Sequence, residues 1–244
     1  DTILNLGIND EIVKGLANML GDDRPAYDAY RRFLQIYSAV VLEVDAGAFE
    51  KILSEHKERA GVNMDHQLSS KQLQGVISEF KDMVLRVTGT QVPEEPWVQL
   101  MAAVEAVFRS WNTRRAIFYR DHNGISHDMG TAVTVMAMVF GNLGSTSGSG
   151  VLFTRDPSTG ANQVYGEFLS NAQGEDVVSG VRTPQQLSAL SEVMPQAAQE
   201  LLDLCRELES HYRDVQDVEF TIENERLFIL QTRSAKRTPL AAVK

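Results

Sequence analysis

At 244 residues and 43% hydrophobic, the chain is long enough for one large domain or two small ones around a sizeable core. A formal net charge of −10 argues against nucleic-acid binding, which needs clustered Lys and Arg, and no apolar run of about 18 residues is present to span a membrane. Cys205 is the one cysteine, which excludes an internal disulfide and suits a reducing compartment, and its apolar helical setting reads as a buried small hydrophobe.

Helical periodicity governs the first half. Residues 10–21 place Ile12, Leu16, Met19 and Leu20 on one face, and 25–43 repeat the pattern with Tyr30, Phe33, Leu34, Tyr37 and Val41. Pro25 suits a first helical turn. Asp45 is placed to cap a helix over 46–60, and Ser69 or Ser70 to cap the helix that carries Leu73, Ile77, Phe80, Val84 and Leu85. A turn through Pro93 and Pro96 leads into a helix predicted over 97–119. Its stripe of Trp97, Met101, Val104, Val107, Phe108 and Trp111 reads as core. No compact chemical motif occurs in this half.

The pattern changes near residue 121. The β-branched, apolar run 131–140 reads as a buried strand in the same layered domain as the chain's last hairpin. The glycine-dense stretch 141–150 reads either as a flexible hairpin connection or as a nest whose amides, Ser149 and Gly150 among them, cradle a phosphate. Strands are predicted over 151–156 and 163–169, with a turn at 157–162, and 184–212 reads as helix. Arg155 is either a phosphate contact or half of a structural ion pair.

The most informative piece is the closing hairpin, 217–233. Alternation puts Asp217, Glu219 and Thr221 on one face and Val218, Phe220 and Ile222 on the other. An Asn224–Glu225 turn brings Glu219 almost opposite Gln231, with Arg233 two residues on along the same face. A carboxylate beside an amide oxygen suits Mg²⁺, a hard ion that also takes phosphate and water oxygens, and a guanidinium forks onto phosphate. By the pattern alone, an exposed polar face with a cross-strand pair is the favoured reading, since a lone Glu/Gln pair is weak evidence for a metal.

Five blocks, in order, add a resemblance: "DTILNLGIND", "GTAVTVMAMVFGNLGSTSGSGVLFTRDPSTG", "YGEFLSNAQGEDVVSGVRTPQ", "HYRDVQDVEFTIENERLFILQTRSAKRT" and "AAVK". Together they resemble the ATP-grasp nucleotide region of the pyruvate phosphate dikinase family, over residues 1–10 and 128–244; residues 11–120 fit in position and length more than in motif. "AQGEDVVSGVRTPQ" and "LQTRSAKRT" are more similar to this family than to phosphoenolpyruvate synthase.

The resemblance implies an α+β fold. Residues 1–10 would be the remnant of a first ATP-grasp lobe, 11–120 a helical subdomain, and 121–244 a nucleotide- and metal-binding lobe with a mixed sheet. It implies a phosphotransferase of the cytoplasm, or of an organelle stroma, that converts ATP, phosphate and pyruvate to AMP, pyrophosphate and phosphoenolpyruvate. The ATP β-phosphoryl would pass to a histidine on a separate swivelling domain, with a pyruvate-binding barrel beyond and a homodimeric whole. By motif match, Glu219 and Gln231 would hold Mg²⁺, Arg233 would neutralise phosphate charge, and Asp217 would support the cluster. Glu175, Asp176 and Val177 would line the adenosine pocket, beside a strand where the family usually has Gln in place of Met136. No histidine here sits in an acceptor-like Gly-Gly-x-x-Ser/Thr-His setting, and the family's phosphate loop would precede Asp1. The expectation is therefore an ATP-binding portion inactive alone. The alternative is a non-catalytic module that binds a nucleotide or a partner.

Overall fold

A computed structural model describes residues 2–178 and 182–243, Val178 by its backbone only, and the chain divides between Met138 and Val139 into two compact units. Among the described residues no helix is long and apolar enough to cross a membrane.

The first unit is helical: α1 (Ile12–Leu20), α2 (Asp23–Val40), α3 (Ala46–Ala60), α4 (Ser70–Thr88), α5 (Pro96–Ser110) and α6 (Arg114–Asn123). Apolar faces from α2, α3 and α4 meet in a core of Phe33, Leu34, Tyr37, Phe49, Leu53, Leu73 and Phe80, with the Phe49 and Phe80 rings edge to face at 4.8 Å. Ser69, not Ser70, caps α4: its Oγ accepts the Gln72 amide at 3.4 Å, and Gln72 Oε1 accepts the Ser69 amide at 2.8 Å. Asp45 precedes α3 but makes no side-chain cap bond. Within this core Asp28 is buried against Arg31 at 2.7 Å and Arg32 at 3.3 Å.

Two expectations for this half need correction. The helix predicted over 97–119 is interrupted at Trp111–Thr113, where Thr113 Oγ1 takes the Ala116 amide and starts α6. The apolar stripe on α5 is also not core: Trp97 is 70%, Met101 55% and Phe108 48% exposed. The inward face is the small one, Ala103 and Ala106, together with Gln99. The Gln99 amide is tied on three sides, accepting from Gly7 N at 2.8 Å and donating to Ile8 O at 3.2 Å and Pro93 O at 2.7 Å. A buried amide satisfied by backbone thus sets which way α5 faces, against the hydrophobic pattern.

The second unit holds β1 (Gly148–Phe153), β2 (Tyr165–Ser170), α7 (Gly174–Val178), β3 (Gln185–Gln186), α8 (Leu190–Val193), α9 (Pro195–Tyr212), β4 (Gln216–Glu223), β5 (Arg226–Ser234) and α10 (Pro239–Ala242). The strands form one sheet in the order β3-β2-β1-β4-β5, and each pairing is antiparallel, where a mixed sheet was expected. The architecture is α+β. One sheet face is apolar and packs on α9: Leu152, Phe168, Val218, Phe220, Ile222 and Leu227 meet Ala197, Ala198, Leu201 and Cys205. Burial pushes the Cys205 thiol up to about 12, in keeping with a packing role. The expected helix over 184–212 begins in earnest only at Pro195, which takes the first turn of α9.

The run 131–140 forms no strand, and Val135 and Met136 are 66% and 56% exposed. Apolar, β-branched composition reports suitability for a ladder but does not supply a partner. Both edges of β1 are already taken, by β2 and β4.

The glycine-rich stretch is also redistributed. Gly148, Ser149 and Gly150 are not loop but the start of the central strand, flanked on both sides, so their amides face ladder partners and not a phosphate. The glycines there make room for rings: a Cβ on Gly148 would lie 2.4 Å from Phe168 Cε2, and one on Gly150 2.4 Å from Phe220 Cζ. Those rings stack with centroids 6.5 Å apart. Gly150→Ala is accordingly expected to destabilise this unit by about 1–3 kcal/mol, as overpacking does. Urea unfolding monitored at the sheet unit measures it, and an unchanged midpoint would show that the rings yield freely.

Candidate functional site

The sheet's second face carries the polar residues. Alternation along β4 puts Asp217, Glu219 and Thr221 there while Val218, Phe220 and Ile222 enter the core. The turn to β5 is two residues long, with both Asn224 (φ 48°) and Glu225 (φ 67°) left-handed, as a hairpin of matching twist demands. Its tip is anchored: Asn224 N donates to Ser147 Oγ at 3.0 Å and Glu225 N to Thr146 O at 2.8 Å.

Strand β5 could not serve both faces on simple alternation, since Ile229, Gln231 and Arg233 would then point the same way. The pairing solves this with a bulge. Phe220 pairs with Ile229, and the next pair is Glu219 with Gln231, so Leu230 is the extra residue. Ile229 then joins the core, while Gln231 and Arg233 turn to the polar face. Glu219 stands directly across from Gln231, and Asp217 across from Arg233.

Arg233 Nε donates to Asp217 Oδ2 at 2.8 Å, with the arginine side chain 60% exposed and the aspartate 16%. This bond and the neighbouring Asp217 and Glu219 charges raise the Arg233 pKa further, so it is a fixed cation held by its base and open at its tip. Across the sheet the Glu219 row continues through Val151 to Glu167 and Gln186. Glu167 was not singled out from sequence, although alternation along "YGEFLS" assigns it to the side of Tyr165 and Leu169.

One end of this face is covered. Ala172 and Val177 pack with Leu169 and Val151, which lays α7 over the sheet beyond Glu219. Val177 is thus a packing residue here. Asp176 Oδ2 accepts the Gln173 amide at 3.0 Å, and Glu175 stands in the first turn of the same helix. Ser149 is buried, its hydroxyl 2.9 Å from that of Thr221. Arg155 proves to be structural, its Nε 2.5 Å from Glu209 on α9. A cavity of about 140 Å³ lined by Asp156, Gln163, Tyr165 and Gln186 lies at the β2–β3 edge, the opposite edge from Gln231 and Arg233.

The five histidines occupy helical segments: His56 bonds Glu79 at 2.8 Å, His127 bonds Asp121 at 2.9 Å, and none lies on the sheet. Among the described residues no group of three or more His, Cys, Asp or Glu gathers to hold a metal.

The sequence matches the family described as pyruvate phosphate dikinase, AMP/ATP-binding domain, over residues 1–195 and 188–244. It is 54% identical over 245 residues to the pyruvate, phosphate dikinase of Clostridium symbiosum. It is 51% identical over 256 residues to that of Rhizobium meliloti, and 50% over 244 residues to the chloroplastic one of Mesembryanthemum crystallinum. Each alignment covers all of this chain and 28%, 28% and 26% of the relative, so the chain spans a little over a quarter of the length of these relatives.

Proposed function

Since the chain belongs to the pyruvate phosphate dikinase AMP/ATP-binding domain family, we propose that it is the ATP-binding portion of such a phosphotransferase. In the whole protein ATP, phosphate and pyruvate would become AMP, pyrophosphate and phosphoenolpyruvate. The observation that carries this reading is the row built by the β5 bulge, Glu219 directly across from Gln231 with Arg233 held by Asp217 beside it.

The donor set fits Mg²⁺. Two hard oxygen side chains on adjacent strands are too few for an all-protein cage, but Mg²⁺ keeps water and takes substrate phosphates, so one or two protein ligands suffice. Bound there, the ion would draw charge from the phosphate oxygens. Glu219 and Gln231 would fix its position, Arg233 would bind a phosphate oxygen, and Asp217 would keep that guanidinium aimed. Glu175, Asp176 and Val177 would stand on the adenosine side. We take 121–244 as the nucleotide- and metal-binding lobe, 11–120 as a helical subdomain, and 1–10 as part of a further lobe. The phosphoryl acceptor would be a histidine of another domain, because none here shares the sheet with Glu219. Pyruvate would be handled in a further domain, and a homodimer is the assembly we expect, in the cytoplasm or an organelle stroma.

Two measurements test this. Titration calorimetry should find ATP bound by the 244-residue chain only when Mg²⁺ is present. Incubation with ATP, Mg²⁺ and phosphate should yield no AMP above a no-protein control. Nucleotide binding indifferent to Mg²⁺ would remove the metal assignment, and robust AMP formation would place the acceptor within this chain.

A further inference from the structure

The bulge gives β5 two possible registers. Before it the hairpin pairs Phe220 with Ile229 and Ile222 with Leu227, and those pairs would be the same if the ladder ran on without an extra residue. A straight ladder would set Leu230 across from Glu219. It would turn Gln231 and Arg233 to the core side and Thr232 to the polar side, since a slip of one residue exchanges the faces. β5 is also an edge strand with β4 as its one partner in the sheet, so residues 231–234 are held by 216–219 and by what their side chains bind. The exposed bond from Arg233 to Asp217 is a weak lock, as exposed ion pairs are.

A stronger lock lies on the opposite face. Gln216 is 1% exposed and Thr154, just past β1, is 4% exposed. Each holds the other: Thr154 N donates to Gln216 O at 2.9 Å, and Gln216 N to Thr154 Oγ1 at 3.0 Å. The Gln216 carboxamide is oriented by Asp214 O, which can only accept and takes Nε2 at 3.0 Å. That leaves Oε1 for Thr232, whose hydroxyl donates to it at 3.0 Å. Gln216 shares the core side with Val218 and Phe220 by alternation, and Thr232 reaches that side in the bulged register, directly across from Val218. In the straight register the buried oxygen would lose this donor, and an unpaired buried acceptor is costly.

We propose that Thr232 and Gln216 are positioning residues for the candidate site: through one buried hydrogen bond they hold β5 in the bulged register, and so keep Gln231 and Arg233 turned toward Glu219 and Asp217. The proposal rests on the reading of that row as the Mg²⁺ and phosphate site. Neither residue touches the ligand. Thr232 stands between Gln231 and Arg233 in sequence but on the other side of the strand, and its hydroxyl, not its bulk, carries the role.

Thr232→Val keeps the shape and loses the hydroxyl, whereas Thr232→Ser keeps the hydroxyl and loses the methyl, so the two variants separate hydrogen bonding from packing. Two readings are taken on the 244-residue chain. Amide exchange at Ala235, whose N–H bonds Val215 O at 2.8 Å, reports opening of this end of the hairpin with no ligand present. Titration calorimetry with ATP across a Mg²⁺ series reports the site. Thr232→Val should exchange about 10-fold faster at Ala235 and bind Mg²⁺-ATP about 10-fold more weakly, while Thr232→Ser stays close to the unsubstituted chain in both. Thermal melting checks folding, and should Thr232→Val not fold, Thr232→Ala against Thr232→Ser makes the same comparison. Loss in Thr232→Ser with none in Thr232→Val would assign Thr232 to packing and overturn the proposal, as would faster exchange with unchanged ATP binding. Absence of Mg²⁺-dependent ATP binding in the unsubstituted chain would remove the reading of the row, and exchange at Ala235 would then decide the register lock by itself.

Discussion

Glu219→Ala is expected to weaken Mg²⁺-dependent ATP binding by about 10-fold or more, and to slow phosphoryl transfer about 10²–10³-fold in a full-length protein carrying this segment, the scale for losing one preorganised electrostatic group. Folding should be nearly untouched. Glu219 lies on the polar face, outside the cluster that packs on α9, and surface substitutions of this kind usually stay within about 0.5 kcal/mol. The variant also takes away one of the two carboxylates whose charges support Arg233, leaving the Asp217 bond in place. Glu219→Gln separates the roles: it keeps an oxygen across from Gln231 but loses the charge, so ATP binding should need a higher Mg²⁺ concentration. Calorimetry across a Mg²⁺ series gives the answer. An unchanged Mg²⁺ requirement in Glu219→Ala would reduce the row to an ordinary polar face.

Asp28→Ala should destabilise the helical unit by about 3–5 kcal/mol, the usual cost of removing one member of a buried ion pair. Arg31 is 3% exposed and would keep the neutral Gln35 Oε1 at 3.0 Å and, as its one carboxylate among the described residues, Asp65 at 3.7 Å, and its Nε already has no partner among the described residues. Burial by itself would push the Asp28 carboxyl up, but the guanidiniums of Arg31, Arg32 and Arg24 outweigh it and hold it well below the usual carboxylate range. A depressed folded-state pKa gives stability that is present above the unfolded value, about 4, and is lost as the pH falls through the folded one. The helical unit of the unsubstituted chain should therefore lose stability on acidification below about pH 4, and Asp28→Asn should flatten that slope. Chemical unfolding at pH 7 and pH 3, followed by circular dichroism at 222 nm, measures both effects. A slope equal in the two proteins would mean that Asp28 is not the coupled group.

Much of the candidate site's layout was legible in the order of residues. A period of two along 217–222, a two-residue turn and a polar end to the return strand are enough to bring Glu219 to within one residue of Gln231, because alternation and hairpin pairing are local rules; the bulge makes the pairing direct. The long matching blocks identified the family for the same reason: they are sequence. What stayed hidden depends on neighbours that no local pattern names. The bulge at Leu230 is needed only because Ile229 must reach a core shared with α9. Gly148 and Gly150 look like loop until Phe168 and Phe220 are set against them. The stripe on α5 has the spacing of a core helix, yet the Gln99 amide, bound to three backbone groups distant in sequence or across a turn, faces the helix the other way. The run 131–140 has the composition of a strand and yet joins no ladder. The sequence alone determined which side chains are apolar, which alternate and which family they belong to. Only the tertiary structure decided which apolar faces are covered and which groups the buried amides bind, because burial and hydrogen-bond satisfaction depend on elements far apart along the chain.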